Sequence, residues 1–240
     1  MVNSGELSAK DYYLQFLQDK EKVFKEITRF TQSEKENYSD LLEHLKNVNK
    51  KRTKFSNAEK GKALEDLVSF ILEKSSVFKI KENIHTSSNE VDQLVMLNST
   101  GREFQNAGYL DIRGEHLLSE CKNYGGKVGV TWVGKFYSLV SVLSCRIGIL
   151  FSYQGLSGRG WNDAVGLTKK LFLTREKIEE RIFIIEFNIN DFETIANGES
   201  FLEILEAKIN GLKTDTKYSH YLKEHPATKK AKARGLSSSI

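Results

Sequence analysis

The chain reads as an α/β fold, a mixed central sheet flanked by helices and preceded by a helical hairpin. Three observations lead there. Two long stretches near the start repeat their apolar residues at helical spacing. Two short, continuous apolar runs, residues 147–151 and 182–187, suit central strands buried on both faces. Segments of helical character separate the later strands, and parallel neighbours need such crossovers, whereas the earlier strands have short links and suit an antiparallel meander.

In order, residues 8–50 form two helices. Ser8 caps the first, with Phe16, Val23, Phe24, Ile27 and Phe30 as its apolar stripe. Ser33 and Glu36 make a capping-box pattern for the second, ahead of Leu41, Leu42, Leu45 and Val48. The hairpin packs onto the main domain or onto a second copy of the chain. A third helix opens at Ser56 with Glu59 as its capping partner and buries Leu64, Leu67, Val68, Ile71 and Leu72. At about 100° per residue, Glu65 falls roughly 20° from Leu72, on the flank of that stripe.

Residues 76–81 alternate like an edge strand, and 91–97 form a better strand opening with Asp92. An irregular connection over 98–108 leads to a strand at 109–112, a turn at Arg113-Gly114 and the strand 117–123. Helices are expected over 130–143, 161–173 and 201–209. With the short 109–112 segment left out of the count, the order after the hairpin is α-β-β-β-α-β-α-β-α. The domains are then a hairpin (1–55), the α/β domain (56–213) and a polar, basic, flexible tail (214–240).

Composition narrows the function classes. The chain has 240 residues, 39% hydrophobic and 28% charged, with a formal charge of +4. That mild excess permits a polyanionic partner without demanding one, and local clusters matter more. One is Lys50-Lys51-Arg52 with Lys54, a hinge and phosphate contact; another is the run from Lys229 to Arg234. The two cysteines, Cys121 and Cys145, make no disulfide framework and lack metal-ligand spacing, which fits a reducing, cytoplasmic setting. Met1 leads into a polar segment rather than a signal peptide, and the longest apolar run, 139–151, contains Arg146 and is too short to span a bilayer. The histidines are scattered, and no Gly-x-Ser-x-Gly elbow or phosphate-binding Gly-rich lysine loop is present.

The chemistry concentrates at Leu117-Leu118-Ser119-Glu120-Cys121-Lys122-Asn123. Alternation along a strand puts Glu120 and Lys122 on one face and Cys121 on the other. Cys121 is thus a buried structural thiol rather than a nucleophile. Between the two competing aspartates, the opening end of an antiparallel strand lies beside the closing end of its partner. That favours Asp92 over Asp111, which a tight turn would leave short of Glu120.

Glu65 on a helix, Asp92 opening a strand, and Glu120-x-Lys122 closing the next resemble the PD-(D/E)XK nuclease superfamily. Within it, the likeness is to the Mrr-type restriction endonuclease branch. It spans residues 61–209, through Gly61-x-x-Leu64-Glu65-x-Leu67, Asn89-Glu90-Val91-Asp92, Glu120-Cys121-Lys122-Asn123 and Gly148-Ile149-Leu150-Phe151-Ser152. The proline of the family name is absent before Asp92, and the interval from Asp92 to Glu120 is long.

The resemblance implies a restriction endonuclease-like αβββαβ core with a further αβα, and Mg²⁺-dependent hydrolysis of DNA in restriction or defence. The alternatives are a structure-specific repair or recombination nuclease, and a non-catalytic DNA-binding module with a vestigial site. It also implies roles. Asp92, Glu120 and the Cys121 carbonyl would hold Mg²⁺, with Mn²⁺ as substitute, Lys122 would act on the attacking water or the transition state, and Glu65 would assist a second metal. Lys51, Arg52, Ser152 and Gln154 are the candidate DNA contacts. A homodimer would supply two centres for two strands.

Overall fold

Three reciprocal capping boxes fix where the first helices start. Ser8, Thr31 and Ser56 each accept the N–H of the residue three positions on, and the acid there reaches back to the cap's own N–H. The helices are α1 (Ala9–Thr28), α2 (Gln32–Lys50) and α3 (Asn57–Lys74). In this computed structural model, residues 8–85, 90–112, 114, 116–158 and 162–222 are described. The α2 cap corrects the expectation at Ser33. Two capping patterns overlap there, Thr31 with Glu34 and Ser33 with Glu36, and the earlier one starts the helix.

Five strands follow: β1 (Phe78–His85), β2 (Glu90–Leu97), β3 (His116–Lys122), β4 (Ile147–Ser152) and β5 (Phe183–Phe187). They form one mixed sheet in the order β1-β2-β3-β4-β5. The first three make the expected antiparallel meander, while β3, β4 and β5 run parallel. The crossovers that parallel pairing requires are α5 (Val130–Val142) between β3 and β4 and α6 (Ala164–Leu173) between β4 and β5.

Alternation along the strands divides the interior in two. Leu117 and Cys121 of β3 join a large core with Tyr38, Leu42, Leu45, Leu64 and Ile71. Leu118 points the other way, into a smaller core with Val133, Phe136 and Val140 of α5. Helix α2 is therefore built into the main core. Helix α1 touches that core through Phe24, which packs on Phe104 and Tyr109 at ring-centroid distances of 4.9 and 5.5 Å. Phe16, Val23 and Ile27 of its expected stripe stay exposed.

Four expectations are corrected. The connection after β2 contains a helix, α4 (Ser99–Asn106), capped by the Asn98 side chain, which accepts the Gly101 N–H at 2.9 Å. A Cβ on Gly101 would lie 2.3 Å from the Val77 carbonyl oxygen, so the glycine lets α4 close on the sheet edge. Residues 109–112 form no strand; their alternation instead buries Leu110 and Ile112 as an extended segment. A helix, α7 (Ile189–Ala196), precedes α8 (Phe201–Thr214). Order also continues past residue 214, into the short helix α9 (Ser219–Leu222), and the tail beyond it lies outside the described residues. Trp161, the expected start of α6, also lies outside them, and that helix begins at Ala164.

A buried charge anchors the α7–α9 end. Asp191 is 0% exposed, pairs with Lys208 at 3.0 Å and accepts the Tyr218 hydroxyl at 2.8 Å. Its other oxygen accepts the Asn188 N–H at 2.8 Å, closing the α7 capping box. Removing one member of such a pair leaves the other charge buried and unmatched. Asp191→Ala should therefore lower stability by about 3–5 kcal/mol in denaturant unfolding. Tyr218→Phe, which deletes one hydrogen bond, should cost about 1 kcal/mol.

Candidate active site

The register of β2 on β3 builds the site. Gln93 faces Ser119 and Leu94 faces Leu118, so one further step sets Asp92 opposite Glu120. At that step the Asp92 side chain takes over from the backbone ladder, its Oδ2 accepting the Cys121 N–H at 3.0 Å. On the opposite face Gln93 is buried, donating to Ser69 of α3 at 2.8 Å and accepting from Ser119 at 3.0 Å. This chain of polar contacts ties helix, β2 and β3 together directly beneath the acids. Asn123, just past β3, donates to the Lys60 carbonyl at 2.6 Å and fixes the strand end to the first turn of α3.

On the site face, the Lys122 ammonium lies between two carboxylates. It makes a close ion pair with Glu120 and stands 3.8 Å from Asp92. The side chains of Glu120 and Lys122 are 13% and 16% exposed, so the pair is sheltered and its charges are only partly screened. Burial pushes the Glu120 carboxyl up, the Lys122 hydrogen bond pulls it down, and the negative Asp92 pushes it up again, for a net rise. For Lys122 burial disfavours the ammonium, yet the bond to Glu120 and the surrounding negative charge outweigh it and its pKa rises. Glu65 projects from α3 with its carboxyl raised, first by partial burial and then by Asp92. Three carboxylates against one ammonium leave the site with an excess of negative charge.

The structure brings Asp92, Glu120, Cys121 and Lys122 into contact and places Glu65 within electrostatic reach. Asp111 is elsewhere, paired with Lys213 of α8 at 2.7 Å. Asp92 rather than Asp111 thus lies beside Glu120, although residues 109–112 form no strand, and Arg113 of the expected turn lies outside the described residues. Lys51 is exposed at the C-cap of α2, and the Arg52 side chain lies outside the described residues. Ser152 is corrected as a DNA contact: it is 1% exposed, and its hydroxyl accepts the Gly155 N–H at 3.1 Å to close the turn after β4. Gln154 is exposed on that turn.

Gly155 and Gly158 have φ of +77° and +78°, which is turn geometry rather than a phosphate cradle. Gly160 lies outside the described residues. The loops after β3 and β4 are joined by a bridge between Val128 and Leu156, with Val128 N–H on the Gly155 carbonyl at 2.9 Å. This ties together the loops at the carboxyl ends of β3 and β4, the end of the strands at which open α/β sheets bind ligands.

Sequence reasoning gave no role to Gln93, Asn123, Tyr124 or Trp132. The first two are polar residues flanking the acids, a signal that was present but common. Tyr124 and Trp132 wall the site, with the Lys122 ammonium 5.2 Å from the Trp132 ring centroid. Their signal was an aromatic on each side of a glycine loop.

Among the described residues, no group of three or more His, Cys, Asp or Glu side chains is arranged to hold a metal ion. The donors that do converge are the Asp92 and Glu120 carboxylates, close enough for the Asp92 charge to raise the Glu120 carboxyl. That pair, with a backbone carbonyl, fits Mg²⁺, which keeps much of its water and takes one or two carboxylates. Neither a family model, a curated protein nor a solved structure matches this chain.

Cys121 and Cys145 are both buried. Burial, and secondarily the acids beside it, pushes the Cys121 thiol well up, and burial raises that of Cys145 to about 11. Neither is therefore a thiolate at neutral pH. Mass spectrometry after iodoacetamide treatment should show the native protein unlabelled and the unfolded protein labelled twice.

Proposed function

We propose that this chain is a Mg²⁺-dependent nuclease that hydrolyses DNA phosphodiester bonds, with a restriction or defence role as the leading context. The observation that carries the proposal is the convergence at the end of β3: Asp92 Oδ2 on the Cys121 N–H and Lys122 between Asp92 and Glu120. The element order lends support. From α3 the chain runs αβββαβ with α4 inserted before the third strand, and α6, β5, α7 and α8 follow. This is the order implied by the resemblance to the PD-(D/E)XK superfamily. The insertion accounts for the long interval between Asp92 and Glu120.

Asp92, Glu120 and the Cys121 carbonyl would hold the cation, Mg²⁺ or Mn²⁺ in its place, with Glu65 close enough to order its water shell. A divalent cation held there would supply Lewis acidity, making a water more acidic and offsetting charge gathering on the phosphate. Lys122, kept protonated by Glu120, acts as a donor: it orients the water and stabilises negative charge on the phosphate, rather than removing a proton. Trp132 shields the ammonium from bulk water on one side. A repair or recombination nuclease would use the same machinery on a different DNA structure. A vestigial DNA-binding module is less favoured, because all three reacting side chains are kept together. No helix among the described residues is long and apolar enough to cross a membrane. A homodimer belongs to the proposal as well, with the exposed side chains of α1 as the surface left for it.

Purified protein incubated with plasmid and linear DNA should cut with Mg²⁺ and not with EDTA. Lys122→Ala should slow cleavage on the order of 10²-fold or more. Asp92→Asn and Glu120→Ala should abolish it with the fold retained, while Asp111→Asn should cut normally. Wild-type rates in both the Glu120 and Lys122 variants would remove this site from consideration. The raised carboxyls of Glu120 and Glu65 set the pH dependence of metal binding. Protons compete with the cation for them, so Mg²⁺ affinity should fall as pH drops into the weakly acidic range. Titration calorimetry across that range measures it, and a flat profile would mean that these carboxylates are not ligands.

A further inference from the structure

Next to Lys122 lies an aromatic surface whose exposed part the proposed hydrolysis does not use. Tyr124, Val130 and Trp132 are 39%, 41% and 38% exposed, clustered on the loop after β3 and the first turn of α5. The two rings meet with centroids 5.8 Å apart and planes tilted by 40°. Ammonium groups surround them. Lys122 and Lys135 stand 5.2 and 4.9 Å from the Trp132 centroid, and Lys127 is exposed on the same loop.

An exposed cluster of apolar residues calls for a partner, and the interleaved cations restrict which one. A purely apolar partner would leave the ammoniums desolvated and unmatched. A paired duplex offers phosphates but hides its base faces. An unpaired strand offers both, phosphates for the lysines and a π-face for each ring, which is how single strands are bound.

We propose that Tyr124 and Trp132 form a stacking platform for an unpaired base of the strand whose phosphate sits at Lys122, making single-stranded or locally unpaired DNA the preferred substrate. This rests on the nuclease reading above and specifies the substrate of the same site. One nucleotide bridges the span from the Lys122 ammonium to the Trp132 ring.

The chain has two tryptophans, so Trp161→Phe leaves Trp132 as the reporter in the full-length protein. Its fluorescence is titrated in EDTA with oligothymidylate, with an abasic strand of equal length, and with a blunt duplex. Oligothymidylate should quench it with an affinity about tenfold above the duplex, and the abasic strand should not quench it. Trp132→Ala should weaken single-strand binding on the order of ten- to a hundredfold and raise KM rather than lower kcat. Trp132→Phe should restore most of the loss, and Tyr124→Ala should reproduce part of it. Equal quenching by duplex or abasic strand, or unchanged single-strand binding in both alanine variants, overturns the platform. The binding measurements need no turnover, so they judge the platform even if no cleavage is found. Cleavage without quenching would sink the platform and leave the nuclease standing.

Discussion

The arrangement depends on the register between β2 and β3. Side chains alternate with a period of two, so a slip of one residue would turn Asp92 to the opposite face from Glu120. Apolar residues alone would fix that register weakly, because Leu94, Val95, Leu117 and Leu118 offer apolar surface on either face. The buried Gln93 removes the ambiguity. It pairs with Ser119 on the neighbouring strand and with Ser69 on α3, and a slip would leave polar groups buried without partners. Unmade hydrogen bonds of that kind cost about 1–3 kcal/mol each, enough to select one register. Asp92 contributes a further check, since its carboxylate completes the hydrogen bonding of the Cys121 N–H.

The same strand pair concentrates charge where it is expensive. Lys122 and Glu120 are sheltered, and two carboxylates share one ammonium. Moving ions out of water costs several kcal/mol each unless the partners are well placed, so the site adds little to stability. What the fold gains is a preset electrostatic imbalance. The raised Glu120 carboxyl registers that imbalance. The Asp191–Lys208 pair on the other side of the sheet has the opposite character. There one acid meets one ammonium, a tyrosine hydroxyl and a backbone N–H, and the charges are balanced. Burial of charge is common to both places, and only the site by β3 is left unbalanced.

Much of this was legible in the sequence, and the misses have physical reasons. Continuous apolar runs gave β4 and β5, a capping serine gave the start of α1, and a capping box gave that of α3. The pairing of Asp92 with Glu120 followed from antiparallel geometry. Helix α4 was missed because Ser99-Thr100-Gly101-Arg102 has weak helix propensity, and the helix is held by an Asn98 cap and close docking on Val77. Residues 109–112 alternate like a strand, but alternation reports only that one side is buried, and here α8 rather than a neighbouring strand supplies the cover. Ser152 looked available because serine at a strand end is usually wet; the turn at Gly155 closes over it. Tyr124 and Trp132 carried only the weak signal of aromatics flanking a glycine loop, because the proximity of Trp132 to Lys122 comes from the crossover and not from spacing.

That crossover also explains why a wall stands at the site at all. Parallel pairing of β3 with β4 obliges the chain to leave the carboxyl end of β3, return along α5 and re-enter beside it. The first turn of α5 must therefore hang over the end of β3, where Glu120 and Lys122 end the strand. Leu118, on their face, packs with Val133 and Phe136 of α5, so the helix seats firmly one turn below the charged pair. Trp132, adjacent to Val133, is left beside Lys122 at the rim. The Val128–Leu156 bridge holds the intervening loop to the turn after β4, which keeps Tyr124 and the glycines at the open side. Charge and aromatic surface at the strand ends thus share one cause, the geometry of a parallel step following an antiparallel meander.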